Sequence, residues 1–207
     1  MVRLFRSRRT EPDREAELDR TREDALRAYL SRMAKLLPDG GGQPHGPGVN
    51  EGDVARARVL AMRQARERRR TGTPADRREE VQAPELDERA RRSAQARTLA
   101  VLQQLDGERK GILLHFLYGS GLIGKDAAIS LPGADLSGAD LTGAELWGGN
   151  LTGADLRDAR LSGASLPAAT LHRADLRNAD LSEADLWSAD LSETDMTGVQ
   201  ASKANLT

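Results

Sequence analysis

The sequence predicts a repeat solenoid over its second half, carried behind an α-helical N-terminal region, and three observations lead there. From Leu131 onward one residue type returns every five positions. Aromatic residues make up only 3% of the 207 residues, too few to fill an ordinary globular core of this size. The formal net charge of −1 hides a division: residues 1–125 hold 26 Lys+Arg against 19 Asp+Glu, and residues 126–207 hold 5 against 13. Such asymmetry marks two differently used surfaces and divides the chain into a charged helical leader, 1–125, and a repeat array, 126–207.

The repeat carries the strongest signal. Of the sixteen positions spaced by five from 131 to 206, fourteen are Leu, with Met196 and Ala201 as exceptions. Two residues before each lies a second small position, Ala in twelve of the sixteen. Between them an acidic or amide residue recurs, as at Asp135, Asp140, Glu145, Asn150 and Asp155. A period of five fits neither the 3.6 of an α-helix nor the 2 of a strand, so each pentad must turn the chain. Stacked repeats must then share one core, and a Leu and an Ala per side fill a space too narrow for rings.

Read as GADLS, GADLT and EADLW, the A[DN]LxG pattern closely resembles that of the pentapeptide-repeat family. The resemblance implies a mainly β solenoid: a right-handed quadrilateral β-helix with four pentads per coil, Leu and the small residue inward and the other three positions outward. The match over about 129–207 implies about four coils, or a rod roughly 19 Å long at ladder spacing of ~4.8 Å.

Solenoid ends are open sheet edges that need covering. Ahead of the first coil, residues 106–119 read as a short helix with Asp106 as N-cap and Gly119 as stop. Its apolar side, Ile112, Leu113, Phe116 and Leu117, suits a lid over that coil. At the other end the repeats decay through Met196, Val199 and Ala201, which makes self-association through an uncapped last coil an expectation.

Upstream, residues 12–37 read as an amphipathic helix with Leu26, Leu30, Met33 and Leu37 at helical spacing. The Gly/Pro-rich run 38–48 reads as a flexible linker. Residues 53–70 have helical composition with a weak apolar face, 71–84 read as loop, and a helix over about 85–105 brings Leu99, Leu102 and Leu105 to one side. The pieces RTREDALRAYLSRMAKLL and ARTLAVLQQLDGERKGILLHFLYGSGLI resemble the helical leader of some bacterial pentapeptide-repeat proteins. In relatives of that kind the two pieces lie closer together and some carry membrane spans. Here a charged insertion over 39–92 separates them, and no stretch approaches the ~20 apolar residues of a span.

The chemistry-bearing residues do not converge. There is no cysteine, so no disulfide, thiolate or cysteine-ligated metal, which suits a reducing cytoplasm. The three histidines, His45, His115 and His172, lie in unrelated contexts without ligand spacing. No Gly-rich loop opens a helix in phosphate-binding fashion; Gly133, Gly138 and Gly143 are repeat corners. No active site, cofactor or metal is expected. The arginines of 56–70 suggest nucleic-acid or anionic-membrane binding as an alternative role, although no aromatics interleave with them for base stacking.

Folding at twenty residues per coil sorts the outward positions into columns. One side stacks Asp135, Asp155, Asp175 and Asp195 beside Ser137, Arg157, Arg177 and Thr197. Another stacks Trp147, Pro167 and Trp187, and a third Thr142, Ser162, Ser182 and Ser202. Outward tryptophans in a chain so poor in aromatics mark a contact surface. The expected function is therefore a non-enzymatic, cytoplasmic scaffold that binds a protein partner through the outer faces of an acidic rod, with Asp135, Asp155, Asp175, Asp195, Trp147 and Trp187 as the candidate surface. The family resemblance offers a sharper version, because some of its members are DNA-like acidic rods that bind type II topoisomerases.

Overall fold

A computed structural model describes residues 11–34 and 86–207. The linker expected at 38–48, the helix expected over 53–70 with its arginines, Leu37 and His45 lie outside the described residues. Three helices precede the rod: α1, Glu11–Ala34; α2, Glu88–Leu102; and α3, Gly107–Gly119. α1 turns Leu26, Tyr29, Leu30 and Met33 inward. α2 starts where the Asp87 carboxylate accepts the Ala90 N–H at 2.7 Å. It is shorter than expected, and its inner face is Ala94, Thr98, Val101 and Leu102, with Leu99 only partly buried. Leu105 joins the core from beyond the helix end. Thr98 belongs on that face because its hydroxyl meets the Tyr29 hydroxyl of α1 at 2.6 Å, inside a core that pushes the Tyr29 pKa up to about 12.

The rod is built on a twenty-residue register. Parallel bridges pair Asp135 with Asp155, Asp155 with Asp175 and Asp175 with Asp195, and the other three sides repeat the pattern, as in Asp140 with Arg160. Four pentads make each coil. The expectation of a mainly β fold needs one correction: among the described residues the rod holds single-residue bridges and no extended strand. Each side is one pentad long and ends in a turn, so only the residue before Leu has room to pair.

Hydrogen bonding explains the repeat chemically. In pentad 154–158, Ala154 N–H closes a turn on Leu151 C=O at 3.0 Å, and Asp155 N–H reaches back one coil to Ala134 C=O at 2.9 Å. Leu156 N–H goes forward to Asp175 C=O at 2.7 Å, and Asp158 N–H to Arg177 C=O at 3.0 Å. Only the Arg157 N–H lacks a backbone acceptor, and Asp155 Oδ1 takes it at 3.1 Å. The carboxylate or amide at the position before Leu gives this turn N–H an acceptor within its own pentad, so that position favours Asp or Asn. The fifth position turns the corner with positive φ, at Gly133 (66°) and Gly138 (61°) as at Asp158 (57°).

Leu and Ala fill the interior, with Leu136, Leu156 and Leu176 fully buried. The leader and the rod share one continuous hydrophobic core that runs from Leu26 through Leu113 and Leu122 to Leu186. α3 is the element that joins them. Its deeply buried side chains are Leu113, Leu114 and Leu117, while Ile112 and Phe116 are only partly buried, so the lid is rotated from the expected apolar side. Two glycines set that rotation. A Cβ on Gly107 would overlap the Gly138 carbonyl oxygen, and one on Gly111 that of Asp140. This close approach lets Gly107 C=O accept the Asp140 N–H at 2.9 Å, a bond that an earlier coil would otherwise supply.

Candidate interaction surface

The Asp column is an ionic ladder. Each carboxylate first serves its own coil by accepting the N–H two residues on, from Ser137, Arg157, Arg177 and Thr197. Cations then thread between coils. Arg157 grips Asp155 through Nε at 2.9 Å and NH2 at 2.6 Å, and its Nε lies 3.6 Å from Asp175. Arg177 repeats this on Asp175 and lies 3.6 Å from Asp195. At the top, Lys110 of α3 closes the column. Its side chain is 5% exposed, and its ammonium donates to Asp135 at 2.8 Å and to the Ser137 carbonyl at 3.1 Å.

These contacts set the acidities. The Arg157 guanidinium holds Asp155 below the usual carboxylate range, and Arg177 does the same for Asp175. Partial burial pushes Asp135 upward, and hydrogen bonds from Lys110 and Ser137 more than reverse it. The Thr197 hydroxyl and N–H lower Asp195. Four carboxylates thus face three cations, so the side expected to be the most acidic is largely neutralised.

The two tryptophans differ although they are two coils apart in one column. Trp147 is partly covered: the loop after α3 crosses it, placing the Lys125 ammonium 5.3 Å from the ring centre. Trp187 is 57% exposed, with its backbone N–H donating to Asp185 Oδ1 at 3.2 Å. Sequence reasoning found Arg157 and Arg177 because they share the period. It missed Lys110 and Lys125, which come from the leader and the connecting loop and carry no periodic signal. The hydroxyl column forms one weak link, Ser202 to Ser182 at 3.5 Å.

The two described histidines do local work. His115 Nδ1 pairs with Gly111 C=O at 2.8 Å, and His172 Nδ1 with Ser192 Oγ at 2.8 Å. Among the described residues no group of three or more His, Asp or Glu could hold a metal ion, and no helix is long and apolar enough to cross a membrane. At the start of α3, Arg109 binds Asp19 at 2.9 Å and Glu23 at 3.1 Å and also pairs with Asp106, which fastens α1 to the lid.

Comparison with known proteins follows the same division of the chain. Residues 129–158 and 169–207 match the family model for pentapeptide repeats in 8 copies. Among solved structures the chain is similar to alr5209, a pentapeptide repeat protein of Nostoc PCC 7120, at 33% identity over 43% of this chain and 73% of that one, with a TM-score of 0.32. It is 34% identical to Rfr23 of the cyanobacterium Cyanothece 51142, over 39% of this chain and 58% of that one, TM-score 0.28. HetL of Nostoc sp. strain PCC 7120, described as involved in heterocyst differentiation regulation, is 33% identical over 37% and 38%, TM-score 0.22. The chain therefore spans less than two thirds of Rfr23 and of HetL. No curated protein sequence matches. With the repeat pattern, the twenty-residue register and these matches together, the chain belongs to the pentapeptide-repeat family.

Proposed function

We propose that this protein is a non-enzymatic scaffold whose rod docks a protein partner through its outer faces, with the helical leader serving as the lid that keeps the first coil from pairing with other chains. The twenty-residue register supports a quadrilateral β-helix, and its right-handed sense is carried over from the family. The observation that carries the docking role is Trp187, a large indole left 57% exposed on a rod whose backbone and core are otherwise spent on stacking. The lack of cysteine favours a reducing, cytoplasmic location.

Neutralisation of the Asp column bears on the sharper, DNA-like version. A type II topoisomerase that bound through Asp155 and Asp175 would compete with Arg157 and Arg177 for the same oxygens, so this remains one outcome of partner capture rather than its premise. The test is an affinity pull-down with the intact chain, repeated with the separated halves 1–125 and 126–207. Capture of the same protein by 126–207 supports the scaffold. Retention by 1–125 alone, released by nuclease or by anionic vesicles, would instead assign binding to the arginines of 56–70.

A further inference from the structure

Three of the four sides of the rod carry their own cations. The Asp side has Arg157 and Arg177, the next has Arg160 and Lys203, and the side of Thr152 and His172 has Arg173. These bind carboxylates of neighbouring coils, as Arg160 binds Asp140 at 3.1 Å, Lys203 binds Glu183 at 3.4 Å and Arg173 binds Glu193 at 2.7 Å. The tryptophan side is the exception. Its pentads, beginning at Ala144, Ala164, Ala184 and Ala204, contain Glu145 and Asp185 and neither Lys nor Arg. The cation over this side is lent from outside the array: Lys125, over Trp147.

That contact is a template. An indole face attracts an ammonium or guanidinium through its quadrupole, and a nearby carboxylate adds to the attraction. Trp147 with Glu145 and Trp187 with Asp185 occupy equivalent places two coils apart, roughly 10 Å by ladder spacing. Loop 121–126 reaches only the first of them. We propose that Trp187 and Asp185 form a subsite for a lysine or arginine side chain on an exposed basic segment of the partner protein, and that Lys125 on Trp147 is the intramolecular version of the same contact. This rests on the scaffold reading above and names the chemistry of its partner. The Asp185 Oδ1 atom accepts the backbone N–H of Trp187 at 3.2 Å and a hydrogen bond from Asn205 Nδ2 at 2.9 Å, which fixes the carboxylate two residues before the exposed indole. Pro167 lies between the two rings in the column.

The chain has two tryptophans, so the full-length Trp147→Phe protein reports on Trp187 alone. Titration with a short alternating arginine–glycine peptide should quench its fluorescence saturably and less strongly as salt rises, and a glutamate–glycine peptide should not. Asp185→Asn keeps the acceptor for the Trp187 N–H and removes the charge; it should weaken the arginine peptide by about two- to fivefold, the scale of an exposed cation–π and charge contact. In the full-length Trp187→Phe protein, Lys125→Ala should make Trp147 newly sensitive to the peptide, because the internal cation is gone. Absence of saturable quenching, indifference to Asp185→Asn, or no gain at Trp147 would each overturn the subsite. A partner captured by the full-length protein and still bound by the full-length Trp187→Ala protein would sink the subsite and leave the scaffold standing, whereas no capture of any protein by the full-length chain would remove the scaffold reading itself.

Discussion

Ala168 turns a corner with φ 55°, and Ala169 beside it is 1% exposed in the core. The left-handed region costs an ordinary residue roughly 1–2 kcal/mol, part of which glycine gives back through its freer unfolded chain. Ala168→Gly should therefore stabilise the rod by roughly 0.5–1 kcal/mol, and Ala169→Gly should destabilise it by about 1 kcal/mol through loss of a buried methyl. Urea midpoints of the two variants check the opposed signs. The inward register makes a second pair. Leu151, 1% exposed, becomes a buried unpaired charge as Leu151→Lys, a loss of several kcal/mol, on the order of 3 or more. Thr152→Lys points outward and should melt within a few degrees of the parent. Equal melting of the two would refute the register. A third prediction follows from the carboxylates. Asp155, Asp175 and Asp195 have native pKa values below the ordinary ~3.9. Their contribution is therefore complete above that value and is lost as pH falls through the lower native ones. The melting temperature should hold from neutral pH to about pH 5 and drop below about pH 4, and Asp175→Asn should make that drop shallower. Sequence alone showed that Asp recurs before Leu; it took the hydrogen-bond pattern to show that the side chain supplies the one acceptor the turn lacks.

Among the elements, α3 is the one on which both halves depend, and its glycines are more informative than its leucines. Gly111→Ala would drive a methyl into the Asp140 carbonyl, whereas Gly119 has nothing within 4 Å of where its Cβ would lie. Gly111→Ala should cost about 1–3 kcal/mol by overpacking, against little change for Gly119→Ala, as read by thermal melting of the intact protein. Similar melting of both would mean that the lid does not sit on the 138–140 corner. The helix itself was legible, because Asp106 at its start accepts the Arg109 N–H at 3.0 Å as an N-cap should. Which side it buries was not. Ile112 and Phe116 are as apolar as Leu113 and Leu114, and only the shape of the first coil, which admits a helix backbone at two glycines, chooses between them.

For the molecule as a whole, the leader and rod act as one stack with a built end. Removing residues 1–125 would strip the Gly107 carbonyl from the Asp140 N–H and the Lys110 ammonium from Asp135, and would uncover the leucines of the first coil. Light scattering should then show self-association of the 126–207 fragment under conditions where the full chain is dispersed. A stable, monodisperse fragment would show that the rod needs no lid. By itself the sequence determined the five-residue repeat, its inward Leu and Ala and its corners, because that period is a local property written in every pentad; the twenty residues per coil that sort the outward positions into columns were implied by the family resemblance and are observed in the i to i+20 bridges. Tertiary structure decided which columns are free to act. Lys110 reaches Asp135 across 25 residues, and Lys125 covers Trp147 from a loop outside the array, so the charge and exposure of each face depend on contacts that no periodicity within the array can encode.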